Sequence, residues 1–412
     1  MHGDQSPGRT RPTRRQLLFG GAVAGFGAAA AIGADQALRL AAPVASQDDS
    51  VPVPLPGDDT VPFYGQHQAG IATPPQAHAT LVALDLRDGT DRDALRRLMQ
   101  LLTDDAARLA RGEPALADSE PELAHVPANL TVTFGFGPEL VRRASTSSTQ
   151  APAWLRPLPA FGIDRLEDAW NDGDLLLQVA ADDPFTVAHA LRMLLKDTRS
   201  FATVRWTQPG FRRARGSEAS GTTMRNLFGQ VDGTVNPAPP TVDFEQLVWI
   251  TEGTFAGGTG MVVRRISMDL DKWDRLDRSG REQSVGRTLA NGAPLTGTQE
   301  HDEPDFTAKN AAGFPVIAEF SHLRRARSEN TAERFFRRGY NYDDAPSGEQ
   351  ISNSGLLFIS FQADVDAQFV PVQRRLDELD LLNEWTTPIG SAVFAVPPGC
   401  AEGGYIGEGI LA

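Results

Sequence analysis

One acidic residue in the sequence lies between glycines in a way that suits contact with a flat ligand. Residues 229–234 read GQVDGT, so Asp232 stands between Gly229 and Gly233, and Asn236 and Pro237 follow shortly after. Glycine lets the backbone come close to a planar group, because it has no side chain to hold the two apart. A carboxylate presented in this way can take up and return a proton. The alternative is a simple turn, since Asp-Gly is a common turn pair.

A histidine and a pair of arginines farther along the chain are the other residues with chemical potential. His322 carries an imidazole, which in its neutral form is a usual axial ligand of haem iron; the alternative is a structural or surface histidine. Arg337 and Arg338 are adjacent, and either can serve as a fixed cation beside an anionic intermediate, unless both belong to a solvated face. Asp380 and Glu384 are both candidates for the hydrogen-bond partner of the histidine, and the sequence does not choose between them.

Composition limits the class of protein. The chain has 412 residues, of which 41% are hydrophobic, enough for one large domain or two of medium size. The formal net charge is −14, and because residues 1–45 carry five Arg and two Asp, the remainder has a charge of −17. Such an acidic body repels phosphate backbones, which argues against nucleic acid as a partner. Cys400 is the one cysteine, so an internal disulfide and a zinc site of several thiolates are excluded, and we expect a small buried residue there.

The N-terminal residues have the pattern of an export signal. Arg14 and Arg15 precede an apolar stretch over residues 19–34 that is short and rich in Gly and Ala, which disfavours a permanent membrane anchor. The arginine pair predicts the twin-arginine pathway. We therefore expect a signal peptide over residues 1–45, with cleavage after Ala34 or Ala45, and an extracellular, periplasmic or cell-envelope location. Residues 46–62 are rich in Asp, Pro and Val and predict an extended, acidic linker.

Two similar halves follow the linker. Residues 82–86 (VALDL) are echoed 184 positions later by residues 266–270 (ISMDL), and the apolar run of residues 175–182 is echoed by residues 356–364. In each half the patterns give the order strand, helix, strand, strand, helix, strand, which suits a ferredoxin-like α+β sandwich. The predicted halves span residues 63–225 and 226–412, and the long irregular segment 279–350 is expected to be functional. Predicted strands cover residues 79–86, 130–135, 174–180, 201–206, 247–251, 260–268, 355–362 and 391–396, and predicted helices cover residues 91–111, 184–196, 271–278 and 366–379.

These motifs, taken in order, resemble the dye-decolourising peroxidase family. The Gly-x-x-Asp-Gly pattern of residues 229–233 matches that family's signature. Residues 63–76 (FYGQHQAGIATPPQ) resemble the start of its exported bacterial branch, which includes the proteins called deferrochelatases. Further similar stretches occur at residues 205–211, 262–266, 286–287 and 390–399. The resemblance therefore covers about residues 62–405.

The resemblance implies a duplicated ferredoxin-like fold of the dimeric α/β-barrel type, with antiparallel sheets and one haem b per chain in the C-terminal half. It makes His322 the proximal iron ligand, Asp232 the distal acid and Arg337 the distal arginine, with Arg338 in reserve if the registration is shifted by one. The positions that would line the haem are Gly233, Thr234, Val235 and Arg337. The sequence departs from the family's pattern in two places. Residues 327–329 (RSE) stand where relatives often have Asn-Pro-Arg, so contacts to a haem propionate would differ. Gly339 stands where another branch of the family has a distal Asn.

The function implied is that of a haem peroxidase, which reduces hydrogen peroxide and oxidises dyes, phenols or small reductants, metal ions included, through a ferryl intermediate. Its partners would be hydrogen peroxide, those reductants and, during export, the twin-arginine translocase; a homo-oligomer is left open. The alternatives are a haem- or iron-handling protein of deferrochelatase type and a ferredoxin-like binding module without a cofactor. Because bulky dyes do not reach a buried haem, aromatic residues are candidates for electron relay, each with plain packing as its alternative role. They are Trp154, Trp170, Trp249, Trp273 and Tyr405.

Overall fold

The computed structural model describes residues 55–146, 151–346 and 351–412. The predicted signal peptide over residues 1–45, its cleavage sites and most of the predicted linker lie outside these ranges. Within them, no helix has the length and apolar character needed to cross a membrane.

The first half contains four strands and three helices, and its two long helices begin at side-chain caps. Asp91 accepts a hydrogen bond from the backbone N–H of Ala94 at 2.9 Å, and Asp183 accepts one from Thr186 at 3.0 Å. Pro184 occupies the first helical position, where a backbone N–H is not needed. The strands are β1 (His78–Leu86), β2 (Thr131–Phe136), β3 (Leu175–Ala181) and β4 (Ala202–Phe211), and the helices are α1 (Arg92–Leu109), α2 (Pro138–Ala144) and α3 (Pro184–Thr198).

The second half repeats the plan with longer connections. Its strands are β5 (Thr259–Met268), β6 (Phe336–Arg337), β7 (Tyr340–Asp344), β8 (Asn353–Gln362) and β9 (Thr386–Val396). Strands β6 and β7 pair with successive stretches of β8, so they act as one interrupted strand. The helices are α4 (Val242–Val248), α5 (Leu270–Trp273), α6 (Arg278–Val285), α7 (His322–Ala326), α8 (Val370–Leu379), which follows a π-helical turn (Val365–Phe369), and α9 (Glu408–Leu411).

The strands form one closed antiparallel barrel. Its order is β2-β3-β1-β4 in the first half and β7-β8-β5-β9 in the second, the same order of equivalent strands in both. The half-sheets join at two narrow contacts, where Phe136 pairs with Ala395 and Phe211 pairs with Asn341. The echoed sequence segments lie on equivalent strands, β1 with β5 and β3 with β8. The predicted α+β class and the duplicated ferredoxin-like fold are therefore confirmed.

Side chains alternate between the barrel interior and its outer face, as the pleat requires. The interior is filled from both halves, for example by Leu81, Met261 and Phe394, whereas the outer face of the first half packs under α1 and α3. A third apolar cluster lies on the second half and consists of Phe228, Met268, Trp273, Val285 and Leu356. Cys400 is buried as expected, and burial raises the pKa of its thiol to about 11.

Some predicted elements differ from the structure. Residues 247–251 are not a strand: the chain there ends α4, because Thr241 accepts a hydrogen bond from the N–H of Phe244 at 3.2 Å and starts a helix that the strand-like apolar pattern concealed. The predicted helix over residues 271–278 is divided into α5 and α6, and Asp277 caps the latter. Helix α2 and strands β6 and β7 were not predicted.

The end of the predicted linker also differs from expectation. Residues 56–59 are bonded to the first half, since Gly57 and Asp59 accept backbone hydrogen bonds from Ala128 at 2.8 Å and Asn129 at 2.7 Å. An acidic, proline-rich composition does not show such backbone pairing, because any residue can provide it. The division of the halves at residues 225 and 226 stays a prediction.

Candidate active site

A tight loop between β4 and α4 presents Asp232. Asn226 holds the loop from inside, because its side-chain oxygen accepts two backbone N–H groups of the loop at 3.1 and 3.3 Å. Its amide nitrogen also lies 3.4 Å from Oδ2 of Asp232. Gly229 adopts φ +80° near the tip, a conformation that favours glycine. The turn and the presented acid, which the sequence offered as alternatives, occur together, since the turn is what brings the carboxylate out.

Arg337 meets Asp232 from strand β6. The preceding Phe336 packs inside the barrel, so Arg337 points to the outer face. Its Nη1 donates a hydrogen bond to Oδ1 of Asp232 at 2.8 Å, and the two side chains are 25% and 20% exposed. The structure thus brings together a carboxylate and a guanidinium from positions 105 residues apart.

Arg338, the reserve for the distal arginine, has a different place. It is 1% exposed and donates hydrogen bonds to Oε1 of Gln76 at 2.6 Å and to the carbonyl of Pro74 at 3.2 Å, both in the first half. These bonds tie the start of the first half to the barrel. Arg338 does not reach Asp232 through any hydrogen bond, so its geometry suits a structural role.

The backbone of Arg337 is held by a residue that the sequence did not single out as functional. Nδ2 of Asn236 donates to the carbonyl of Arg337 at 2.7 Å, and the N–H of Arg337 donates to Oδ1 of Asn236 at 3.1 Å. Asn236 follows the Asp232 motif directly, and that proximity is the one signal that could have drawn attention to it. Its partner lies 101 residues away, so no local pattern reveals the contact.

His322 begins helix α7, and its ring is oriented by a buried acid. Nδ1 lies 2.6 Å from Oδ2 of Asp380, whose other oxygen accepts the N–H of Leu382 at 3.0 Å. Glu384, the other candidate partner, bonds instead to Lys272. When Nδ1 donates to a carboxylate, Nε2 keeps its lone pair. Among the described residues Nε2 makes no hydrogen bond, and the side chain is 33% exposed, so this nitrogen is available to a ligand.

Electrostatics link the three side chains. Burial disfavours the charged imidazolium of His322, but the charge and hydrogen bond of Asp380, with help from Asp232, outweigh burial and raise the pKa of the ring. Arg337 acts in the opposite direction. Asp232 and Arg337 therefore lie within electrostatic reach of His322.

The donor set fits a haem better than a bare metal ion. The described ranges contain no group of three or more His, Cys, Asp or Glu side chains that could hold a metal ion. A bare transition-metal ion needs several protein ligands, whereas haem iron, already bound by the porphyrin nitrogens, takes a single imidazole. His322 offers that one nitrogen, and the apolar cluster of Phe228, Met268 and Leu356 supplies hydrophobic surface beside the Asp232 loop.

Three of the four residues expected to line the haem follow Asp232 directly in the sequence. Gly233 has φ +131°, and a Cβ there would lie 3.3 Å from the side chain of Thr223. Thr234 donates to Glu300 at 2.9 Å, and Val235 is 54% exposed. Their role in lining a haem stays a prediction. Arg327, in the segment that departs from the family's pattern, pairs with Glu303.

Four of the aromatic relay candidates have clear packing partners away from Asp232. Trp249 stacks on His67 with ring centroids 3.7 Å apart, and Trp170 lies 4.2 Å from the guanidinium carbon of Arg265. The other two, Trp154 and Tyr405, are buried in the core that surrounds α1 and α3.

Trp273 is placed differently. Its ring stacks on Phe228 of the Asp232 loop at 4.4 Å and meets Trp385 edge-on at 5.2 Å. Trp385 is partly exposed, so a continuous aromatic contact runs from the surface to the loop that carries Asp232. The sequence did not identify Trp385, because the two tryptophans are far apart along the chain.

Comparisons with known proteins identify the family of the chain. The family model for the N-terminal part of Dyp-type peroxidases matches residues 68–212, and the model for the C-terminal part matches residues 223–401. A dye-decolorizing peroxidase of Thermobifida fusca is 36% identical over 428 residues, with 98% of each chain covered. A deferrochelatase of Escherichia coli is 35% identical over 437 residues, with 100% of each chain covered.

Solved structures show the same similarity. The DyP-type peroxidase of Cellulomonas bogoriensis is 57% identical with a TM-score of 0.84, over 87% of this chain and 99% of that one. The oxyferrous complex of DtpA from Streptomyces lividans is 40% identical with a TM-score of 0.83, over 87% of this chain and 100% of that one. The chain therefore belongs to the Dyp-type peroxidase family, as the order of its motifs predicted.

Proposed function

We propose that this protein reduces hydrogen peroxide at a haem b, one per chain, and takes the electrons from dyes, phenols or small reductants. The observation that carries the proposal is the 2.8 Å ion pair of Asp232 and Arg337 within electrostatic reach of His322. Family membership supports it. So do the solved ferric and oxyferrous forms of the Streptomyces lividans relative, which contain a redox-active iron.

His322 would hold the haem through Nε2, since Nδ1 is engaged by Asp380. A bound haem would supply the redox chemistry of its iron. The carboxylate of Asp380 fixes the ring orientation and increases the basicity of the imidazole. Arg337 and the backbone of residues 233–235 would contact the haem.

Asp232 would move the proton in the reaction. Its carboxylate takes a proton from one peroxide oxygen and returns it to the other, so that the second oxygen leaves as water. The guanidinium of Arg337 holds that carboxylate at 2.8 Å and offsets negative charge as the oxygen–oxygen bond breaks. Asn236 keeps Arg337 in place through two backbone hydrogen bonds.

The second candidate function is haem or iron handling. Relatives that match over their full length carry the name deferrochelatase, which favours this alternative over a binding module without cofactor. In this case His322 would hold haem as cargo or substrate, and no acid–base step at peroxide would be needed.

We also propose that the chain is exported. The arginine pair and the apolar stretch of residues 19–34 support the twin-arginine route and a location outside the cytoplasmic membrane. The translocase would then be a transient partner, and folding with haem would precede export.

Stopped-flow absorption tests the proposed function. The haem-loaded protein is mixed with hydrogen peroxide beside Asp232→Ala, Arg337→Ala and, as a control, Asp88→Ala, which removes an exposed acid from the turn after β1. We expect a fast spectral change of the Soret band in the native protein and the control, and a severe slowing in one or both site variants. His322→Ala should lose haem or shift its spectrum.

Two results would count against the proposal. A native Soret band that bleaches slowly and equally in all variants favours haem as cargo. Fluorescence of iron-free porphyrin that appears without added peroxide would show that iron has left the haem, which favours the iron-handling function. An unchanged spectrum in His322→Ala would refute the assignment of the axial ligand.

A further inference from the structure

A surface cleft where segments of the two halves meet lies outside the candidate active site. One wall is the segment 156–159, before β3, and the other is the π-helical turn with the start of α8. The cleft has a volume of about 350 Å³, at the lower end of the range for small-molecule sites. Its lining residues are Arg156, Pro157, Pro159, Asp366, Val370 and Arg374.

The cleft is locally basic in an acidic protein. Arg374 is exposed and has no hydrogen-bond or ion-pair partner among the residues that the structure describes. Arg156 donates to Asp366 at 2.9 Å and to the carbonyl of Ala153 at 2.6 Å. Two guanidinium groups therefore face one carboxylate, and one of them has its donors free. An anion is the ligand that such a pair recognises, because guanidinium groups bind carboxylates and sulfonates through parallel hydrogen bonds.

The rest of the lining is apolar and rigid. The rings of Pro157 and Pro159 and the side chain of Val370 provide hydrophobic surface without the entropy cost of long flexible chains. Apolar surface beside a cationic rim suits a ligand with a flat hydrophobic body and one negative charge. The volume limits that body to one or two rings.

A layer of aromatic side chains lies between the cleft and the apolar cluster beside the Asp232 loop. Val370 follows Phe369, whose ring centroid is 5.9 Å from that of Phe358 on β8. Phe358 packs against the apolar cluster that contains Phe228 of the Asp232 loop. Helix α8, which forms one wall of the cleft, ends directly before Asp380, the partner of His322.

From this geometry we propose that the cleft binds small aromatic anions, carboxylates or sulfonates of phenols and naphthols, as electron donors to the enzyme. The proposal rests on the proposed peroxidase function. Each bound donor gives up one electron through the aromatic layer, and a phenolic donor releases its proton to solvent at the open cleft. Two donors supply the electrons that, with two protons, convert one hydrogen peroxide into two water molecules.

Equilibrium binding to the haem-loaded protein tests the site directly. The probe is 2-naphthoate, with the neutral 2-naphthamide for comparison, and affinity is measured by calorimetry. Removing a charge-assisted hydrogen bond at a partly exposed site should weaken naphthoate binding about tenfold in Arg374→Gln, and more in Arg374→Glu. Arg199→Gln, which removes an exposed positive charge at the end of α3, should leave the affinity unchanged. Equal affinities in all four proteins overturn the proposal.

Turnover separates this proposal from the function on which it rests. With 6-hydroxy-2-naphthoate as donor, Arg374→Gln should lower kcat/KM about tenfold through KM, while the rate of the Soret change with peroxide and turnover of neutral 2-naphthol stay constant. If the native protein consumes no peroxide, the proposed function fails, and calorimetry still decides whether the cleft binds anions. If peroxide is consumed and Arg374→Gln has the native KM for the anionic donor, the cleft is not the donor site.

Discussion

The amide of Asn236 allows a test of how Arg337, the proposed distal arginine, is positioned. It makes two hydrogen bonds with the backbone of Arg337, at 2.7 and 3.1 Å, and alanine replaces neither. Each bond contributes about 1 kcal/mol net, so Asn236→Ala removes about 2 kcal/mol of restraint on the arginine. Since about 1.4 kcal/mol corresponds to a tenfold change in rate, we expect the second-order rate constant for peroxide to fall about 30-fold.

Stopped-flow absorption of the haem-loaded variant measures that constant. Asn236→Asp keeps an acceptor for the N–H of Arg337 and loses the donor, so it should recover about half of the lost free energy, a fall of about fivefold. The matched control is Asn353→Ala, which removes an amide that donates to the carbonyl of Ala345 at 3.3 Å at the exposed start of β8. Haem affinity, measured by Soret titration, should change little in the three variants, because each keeps His322, the proposed iron ligand, and its partner Asp380.

A native rate in Asn236→Ala, with haem affinity unchanged, would refute the positioning role. So would an equal loss in Asn353→Ala, because it would show that the rate responds to general destabilisation. A loss of rate in Asn236→Ala that is smaller in Asn236→Asp and absent in Asn353→Ala supports the positioning of Arg337 by Asn236.

Three further predictions concern other parts of the chain. Burial of Asp197, and to a smaller extent the negative charge of Asp105, raises the pKa of the Asp197 carboxyl from 3.8 to about 7. The folded state therefore holds a proton that the unfolded chain releases near pH 4. The stabilisation is complete below about pH 4 and is lost as the pH rises through about 7. Asp197→Asn should remove this fall in the free energy of unfolding, measured by urea unfolding between pH 4 and 7; the same fall in the variant and the native protein would contradict the prediction. Asp380→Ala should weaken haem binding about 10- to 100-fold in a Soret titration, and native affinity would show that the hydrogen bond to His322 is dispensable. Trp273→Phe should slow oxidation of bulky dyes while the reaction with peroxide keeps its rate; equal rates for both substrates in variant and native protein would exclude Trp273 as a relay.

Local patterns in the sequence were enough for most of the fold. The strands β1, β3, β5 and β8 are apolar runs that repeat at a nearly constant offset, and helix α3 begins at an Asp-Pro pair that needs no tertiary information. The pattern failed at residues 247–251, where an apolar run ends a short helix. Short apolar runs are ambiguous because a buried strand and a buried helix turn need the same residues.

The sequence by itself supplied the candidate residues for the chemistry: an acid in a glycine turn, one histidine of seven and an arginine pair. Only the tertiary structure decided how they combine. Barrel alternation turns Arg337 outward to Asp232 and leaves Arg338 buried against Gln76. The fold brings Asp380 to His322 across 58 residues. Periodicity and capping are properties of neighbouring residues, whereas these contacts depend on how distant strands and loops meet when the barrel closes.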